Sequence, residues 1–199
     1  MIKCLSFDLQ GTITEADYCD SFWIQILPRK YAEKYKISFE EAKKEIDKHY
    51  HGDRIYDIRY YDDSYWTRML NIDVLDELKK INKKPKINSK FMNFIKSINI
   101  NKIILSTTTN LFINTELGEE KKSFDKIFSC VDYFNIAGKT PEIFKMVAKE
   151  LNIDTKEILH IGDNYIMDVQ NAEKARVNAI HYTGNTEKCI TKIKKYLED

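Results

Sequence analysis

A chain of 199 residues, 43% of them hydrophobic, can bury one sizeable core or a core that carries an insertion. Its net charge of +1, from 32 basic and 31 acidic residues, argues against a dedicated nucleic-acid surface, and no apolar run reaches the ~18 residues of a membrane span. Four scattered cysteines (Cys4, Cys19, Cys130, Cys189) form no Cys-x-x-Cys pair, which fits reduced thiols in a cytoplasmic protein.

The N-terminus reads as a strand rather than a signal peptide, because Leu5-Ser6-Phe7 runs straight into Asp8. Gly11-Thr12 then predicts a sharp turn whose backbone N–H groups can face an anion. A carboxylate at the end of a first strand lies where open α/β sheets bind ligands. There it can attack phosphorus, although many such residues only cap a turn.

Residues 15–88 carry helix signals and no convincing strand. Pro28 is expected to end or kink a helix. Ser38-Phe39-Glu40-Glu41 is a capping box, after which Ala42, Ile46 and Tyr50 share one helical face. His49-x-His51 is not a helical metal spacing, since i and i+2 point to different faces. Asp62 to Leu70 and Asp73 to Ile81 read as two more helices, and Lys83-Lys84-Pro85-Lys86 as a return linker. Arg54, Arg59, Tyr60, Tyr61 and Trp66 are candidates to close over a small substrate. The plainer reading is that the rings fill a helical core while arginine stems cover it.

Short β-branched runs then alternate with amphipathic segments. Strands are expected at Lys102–Ser106, Lys126–Cys130, Glu157–Asp163 and Asn178–Tyr182. Such runs separated by helices indicate a doubly wound parallel sheet covered on both faces. Ser106 and Thr107 end the second strand and offer hydroxyls to an anion. Lys139 precedes a helix begun by Pro141 and can neutralise a transferring phosphoryl group; its plain alternative is a surface lysine. Asp163 and Asp168 flank the start of the next helix, either as caps or as a pair facing Asp8. Carboxylates so gathered repel one another without a cation, and Mg²⁺ suits oxygen ligands and phosphate chemistry. His160 falls inside a strand and reads as packed; His181, near a strand end, is a lesser candidate.

Phe-Asp-x-x-Gly-Thr at Phe7–Thr12, the strand ending at Ser106, Lys139 and the Gly162-Asp163…Asp168 segment appear in one order. Together they resemble the haloacid dehalogenase superfamily, in members whose helical cap is inserted after the first motif. The resemblance implies a Rossmann-like α/β core over residues 1–14 and 89–199, with an all-helical cap over 15–88. It implies Asp8 as nucleophile, Ser106 as phosphoryl-binding hydroxyl, Lys139 as charge clamp and Asp163 as metal ligand. Asp168 would be a ligand or support one, and the backbone carbonyl of Gln10 would complete the Mg²⁺ shell. Gly11, Thr12 and Thr107 would line the phosphate site. The implied activity is hydrolysis of a small phosphorylated metabolite through an aspartyl phosphate.

Two departures stand out. Many relatives read Lys-Pro-x-Pro, and Gly138-Lys139-Thr140-Pro141 is one residue shorter. Phosphatases of the family carry a second Asp as general acid and base where this chain has Gln10. An amide does neither, which removes help worth roughly 10²–10⁴ in rate. Three readings follow: a phosphatase whose leaving group needs little protonation, another reaction at Asp8 such as dehalogenation, or a domain of impaired catalysis that binds a ligand or protein.

Overall fold

The computed structural model describes residues 1–49, 56–81 and 85–198. Tyr50, His51, Arg54, Lys83 and Lys84, named above, lie outside the described residues. The chain divides into two compact units, residues 1–15 with 85–199, and residues 16–84.

The second unit is helical among its described residues. It contains α1 (Asp17–Ser21), α2 (Leu27–Tyr35), α3 (Phe39–Asp47), α4 (Asp63–Leu70) and α5 (Val74–Lys79). Pro28, expected to end or kink a helix, follows a break in the regular helical register rather than a helix end. A π turn over Phe22–Ile26 joins α1 to α2, and the Leu27 N–H reaches back to the Phe22 carbonyl. Pro28 sits in the first turn of α2, where its missing N–H is tolerated. Ser38 and Glu41 form the reciprocal cap of α3, whose buried face carries Ala42 and Ile46. Asp62 and Asp73 cap α4 and α5 with their side chains. Trp66 is buried in this unit and donates through Nε1 to the Tyr60 carbonyl (2.9 Å), while Arg59 is exposed and paired with Asp57.

The first unit holds a five-stranded, wholly parallel sheet in the order β3-β2-β1-β4-β5. Its strands are β1 (Cys4–Phe7), β2 (Asn101–Ser106), β3 (Lys126–Ser129), β4 (Ile158–Gly162) and β5 (Asn178–His181). Its helices are α6 (Ser89–Ser97), α7 (Asn110–Leu117), α8 (Cys130–Phe134), α9 (Pro141–Leu151), α10 (Asn171–Lys174) and α11 (Thr186–Glu198). Successive strand residues face opposite ways. Leu5, Phe7 and Ile104 therefore pack with Phe91, Ile95, Ile113 and Ile193 on one face. Cys4, Ile103, Leu105 and Phe128 pack with Ile143, Phe144 and Val147 on the other. Both faces are buried, which is why the strands read as continuous apolar runs.

Strand β1 lies between β2 and β4, so the strand order reverses beside it. Register pairs Phe7 with Ile104 and with Ile161. Asp8, the residues after Ser106 and the residues after Gly162 consequently emerge from the same edge, at the crevice that open α/β sheets use for ligands.

Candidate active site

Asp8 follows β1 directly and is held by its N–H to the Ile161 carbonyl at 2.8 Å. Its side chain is buried and accepts from the Lys139 ammonium at 2.5 Å. The same Nζ lies 2.5 Å from Asp168 Oδ1, so one buried cation joins two buried carboxylates. Lys139 is fixed from behind: the Asn171 side chain of α10 donates to its carbonyl at 2.8 Å, and Pro141 starts α9 just beyond. Burial pulls the Lys139 ammonium down, but Asp168 and Asp8 outweigh it and hold the proton on.

Asp168 lies in a π turn over Tyr165–Gln170. Asn164 opens that turn with its side chain on the Ile166 and Met167 N–H groups, and its own N–H donates to Asp168 Oδ2 at 2.8 Å. Burial pushes the Asp168 carboxyl up; Lys139 and the hydrogen bond from His160 override it and hold the group below the usual range. His160 reaches Asp168 Oδ1 with Nε2 at 3.1 Å and Ser6 Oγ with Nδ1 at 2.8 Å. Burial holds the imidazole below its ordinary value. A neutral ring facing a carboxylate carries its proton on Nε2, so Ser6 donates to Nδ1. Burial also pushes the Asp8 carboxyl well above the usual carboxylate range. Lys139 pulls against that shift and Asp168 adds to it.

Asp163 is exposed at the end of β4, beside Gly11. A Cβ at Gly11 would overlap the Asp163 carboxylate, and its φ of 79° also favours glycine there. Oxygens of Asp8, Asp163 and Asp168 lie within 4.8 Å of one another. Three hard oxygen donors at that separation fit one divalent cation, which would relieve their mutual repulsion. Ser106 is buried, and its Oγ accepts from the Thr108 N–H at 3.3 Å. Thr107 is half-buried. The buried hydroxyls of Thr12 and Thr109 have no hydrogen-bond partner among the described residues. Buried hydroxyls are seldom left so, and each retains a donor for a ligand oxygen.

Residues 2–176 match the family model of haloacid dehalogenase-like hydrolases. The chain belongs to this family. No curated protein matches the sequence. A haloacid dehalogenase-family phosphatase from Thermococcus onnurineus is similar in structure, with a TM-score of 0.80 at 18% identity over 98% of each chain. A predicted hydrolase of the family from Porphyromonas gingivalis gives 0.68 at 16% identity, over 100% of this chain and 99% of that one. A 2-haloacid dehalogenase from Pseudomonas syringae gives 0.64 at 15% identity, over 92% of this chain and 86% of that one. At such identities these likenesses establish the fold alone.

Within the haloacid dehalogenase-like frame, the structure brings together Asp8, Lys139, Asp163 and Asp168. Gln10 does something the sequence did not indicate. Its Nε2 donates to Glu116 Oε1 at 2.6 Å, and Thr14 Oγ1 donates to Glu116 Oε2 at 2.5 Å. Glu116 is buried on α7, on the side that also buries Phe112 and Ile113. A lone acid three and four residues from apolar neighbours was the available signal. His160 packs as its place in a strand predicts, with its ring centroid 5.0 Å from that of Phe144, and it also meets Asp168, a contact that no local pattern in the sequence signals. His181 is drawn toward the site's rim, with Nε2 2.9 Å from the Asp163 carbonyl.

Proposed function

We propose that this hydrolase is a Mg²⁺-dependent phosphatase that acts on a small phosphorylated metabolite through an aspartyl phosphate at Asp8. The observation that carries the reading is the convergence of Asp8, Asp163 and Asp168 with the Lys139 ammonium at the reversal point of the sheet. Three formal charges of mixed sign around one nucleophilic carboxylate suit a dianionic group in transfer. Asp8, Asp163 and Asp168, with the Gln10 backbone carbonyl, would hold the ion. When bound, Mg²⁺ would neutralise phosphoryl charge as a Lewis acid.

In the first step an Asp8 oxygen bonds to phosphorus, the ester oxygen–phosphorus bond breaks, and the leaving oxygen keeps the electron pair. Lys139 offsets charge at Asp8 and Asp168 as this happens. Thr12, Ser106, Thr107 and Thr109 offer donors to the phosphoryl oxygens, and Gly11 keeps the loop close to Asp163. Gln10 has no proton to give, so the leaving group takes one from solvent or needs none, as with an acyl phosphate. In the second step water attacks phosphorus and returns the Asp8 carboxylate. Residues 16–84, a helical unit that follows the site loop, serve as the cap that selects the substrate. The four free cysteines support a reducing, cytoplasmic setting.

Dehalogenation is the second reading. A 2-haloacid dehalogenase is among the similar structures, and Gln10 is not the acid a phosphatase would use. The three carboxylates favour phosphoryl transfer, because halide displacement by one carboxylate gains nothing from two more beside it. A panel of phosphorylated metabolites, acyl phosphates included, with and without Mg²⁺, tests the choice. The expected result is phosphate release that needs Mg²⁺ and disappears in Asp8→Asn. Halide release from 2-haloacids without Mg²⁺, and no phosphate from the panel, would reverse it.

A further inference from the structure

Glu116 accepts a hydrogen bond on each oxygen, from the Gln10 amide and from the Thr14 hydroxyl. A carboxylate so placed can face only the NH₂ end of an amide, so it sets which end of Gln10 points which way. The Gln10 carbonyl oxygen must then lie on the side turned away from Glu116. The backbone between the two donors is tight: the Gly11 N–H donates to the Thr14 carbonyl at 2.8 Å, and the Thr14 N–H to the Leu9 carbonyl at 2.8 Å. The Gln10 backbone is thereby fixed in the loop that begins at Asp8, and its side chain is tethered by the hydrogen bond to Glu116.

Resting on the phosphatase reading above, we infer that Glu116 is a positioning residue that fixes the Gln10 amide, so that its carbonyl oxygen holds the water that hydrolyses the aspartyl phosphate. In that step the water oxygen bonds to phosphorus and the Asp8 oxygen–phosphorus bond breaks. The electron pair returns to Asp8 as carboxylate, and both protons leave on H₂PO₄⁻, which ionises in solvent. Gln10 accepts a hydrogen bond throughout and takes no proton. Orientation replaces the missing base, as a water-positioning glutamine can in phosphoryl transfer. An acyl phosphate is reactive enough for positioning alone to be useful, whereas the first step gains nothing from Gln10. The two steps should consequently respond differently to Glu116.

The test uses the full chain with Mg²⁺ and p-nitrophenyl phosphate, comparing wild type, Glu116→Ala and the space-filling Glu116→Gln. Rapid mixing reads formation of the phosphoenzyme as a burst of p-nitrophenol, and steady state reads its hydrolysis. NMR of the Gln10 side-chain amide, assigned by its loss in Gln10→Ala, reads orientation independently of turnover. The expected result is a shifted, slowly exchanging amide pair in wild type that becomes ordinary in Glu116→Ala. The burst rate should hold while hydrolysis slows by about 10-fold to 100-fold, the usual effect of removing an orienting partner. Glu116→Gln should slow hydrolysis less, because a neutral amide can still accept from Gln10. An unmoved amide resonance in Glu116→Ala overturns the inference whatever the kinetics. So does a moved resonance with both phases unchanged or slowed alike. If wild type gives the shifted resonance but neither burst nor turnover with p-nitrophenyl phosphate or with any member of the metabolite panel, the phosphatase reading itself fails and this step falls with it.

Discussion

Asp at position 10 is one methylene shorter than Gln10, so it would lose the 2.6 Å hydrogen bond to the buried Glu116 and leave a second carboxylate near it with no donor between them. Like charges in a half-buried site disfavour each other. Gln10→Asp, the substitution that restores the family's usual acid, is therefore expected to lower stability by about 1–3 kcal/mol, the range for spoiling a buried hydrogen bond. It should also gain less rate than the roughly 10²–10⁴ that general acid–base help can supply. Pairing Gln10→Asp with Glu116→Gln removes the conflict. The double variant should recover most of the lost melting temperature and turn over faster than the single one. Denaturant melts and steady-state kinetics on the three variants settle the matter, and a single variant as stable as wild type would refute the described Gln10–Glu116 contact. The two sites are partners in one hydrogen bond, so their effects should be strongly non-additive.

At the scale of elements, the strands were legible because both faces of a parallel sheet are buried and their sequences stay apolar. The capping box of α3 was legible because it needs only four neighbouring residues. The π turn over Tyr165–Gln170 was not, since its geometry depends on what seizes Asp168: Asn164, Lys139 and His160. Two of those come from other elements, and the Gln10–Glu116 pair spans 106 positions. Local pattern carries no such information. Gly162 exposes the dependence. A Cβ there would overlap the Asp168 carboxyl group, which is buried and held on both oxygens, so it has no room to retreat. Gly162→Ala is expected to cost about 1–3 kcal/mol through overpacking. Because it displaces a carboxylate of the trio, it should also weaken Mg²⁺ binding, measurable by titration calorimetry on folded protein. Unchanged Mg²⁺ affinity would show that Asp168 is not needed to hold the ion.

For the whole molecule, the consequence is an uneven response to a divalent cation. The first unit buries Asp8 and Asp168 around one ammonium and sets Asp163 beside them, so two more negative than positive charges share the crevice. An ion that binds the folded site and not the unfolded chain stabilises by mass action, by about 2.7 kcal/mol at a hundred times its Kd. For a chain of this length that is about 5–10 °C in melting temperature. Asp163→Asn should abolish most of the shift while leaving the ion-free stability unchanged or slightly raised, because it removes one of three mutually repelling carboxylates at an exposed position. Hydrogen exchange locates the effect. The chain leaves and rejoins the first unit through paired backbone, with the Glu15 N–H donating to the Lys86 carbonyl at 3.0 Å and Thr14 bridged to Ile87. Amides of β1 and β4, which lead into Asp8 and Asp163, should therefore gain protection with Mg²⁺. Helices α2 to α5 hold no member of the trio, so any gain they show must come by way of the first unit. Protection that rises in those helices while β1 and β4 stay unchanged would place the ion elsewhere and remove the cation from the site described.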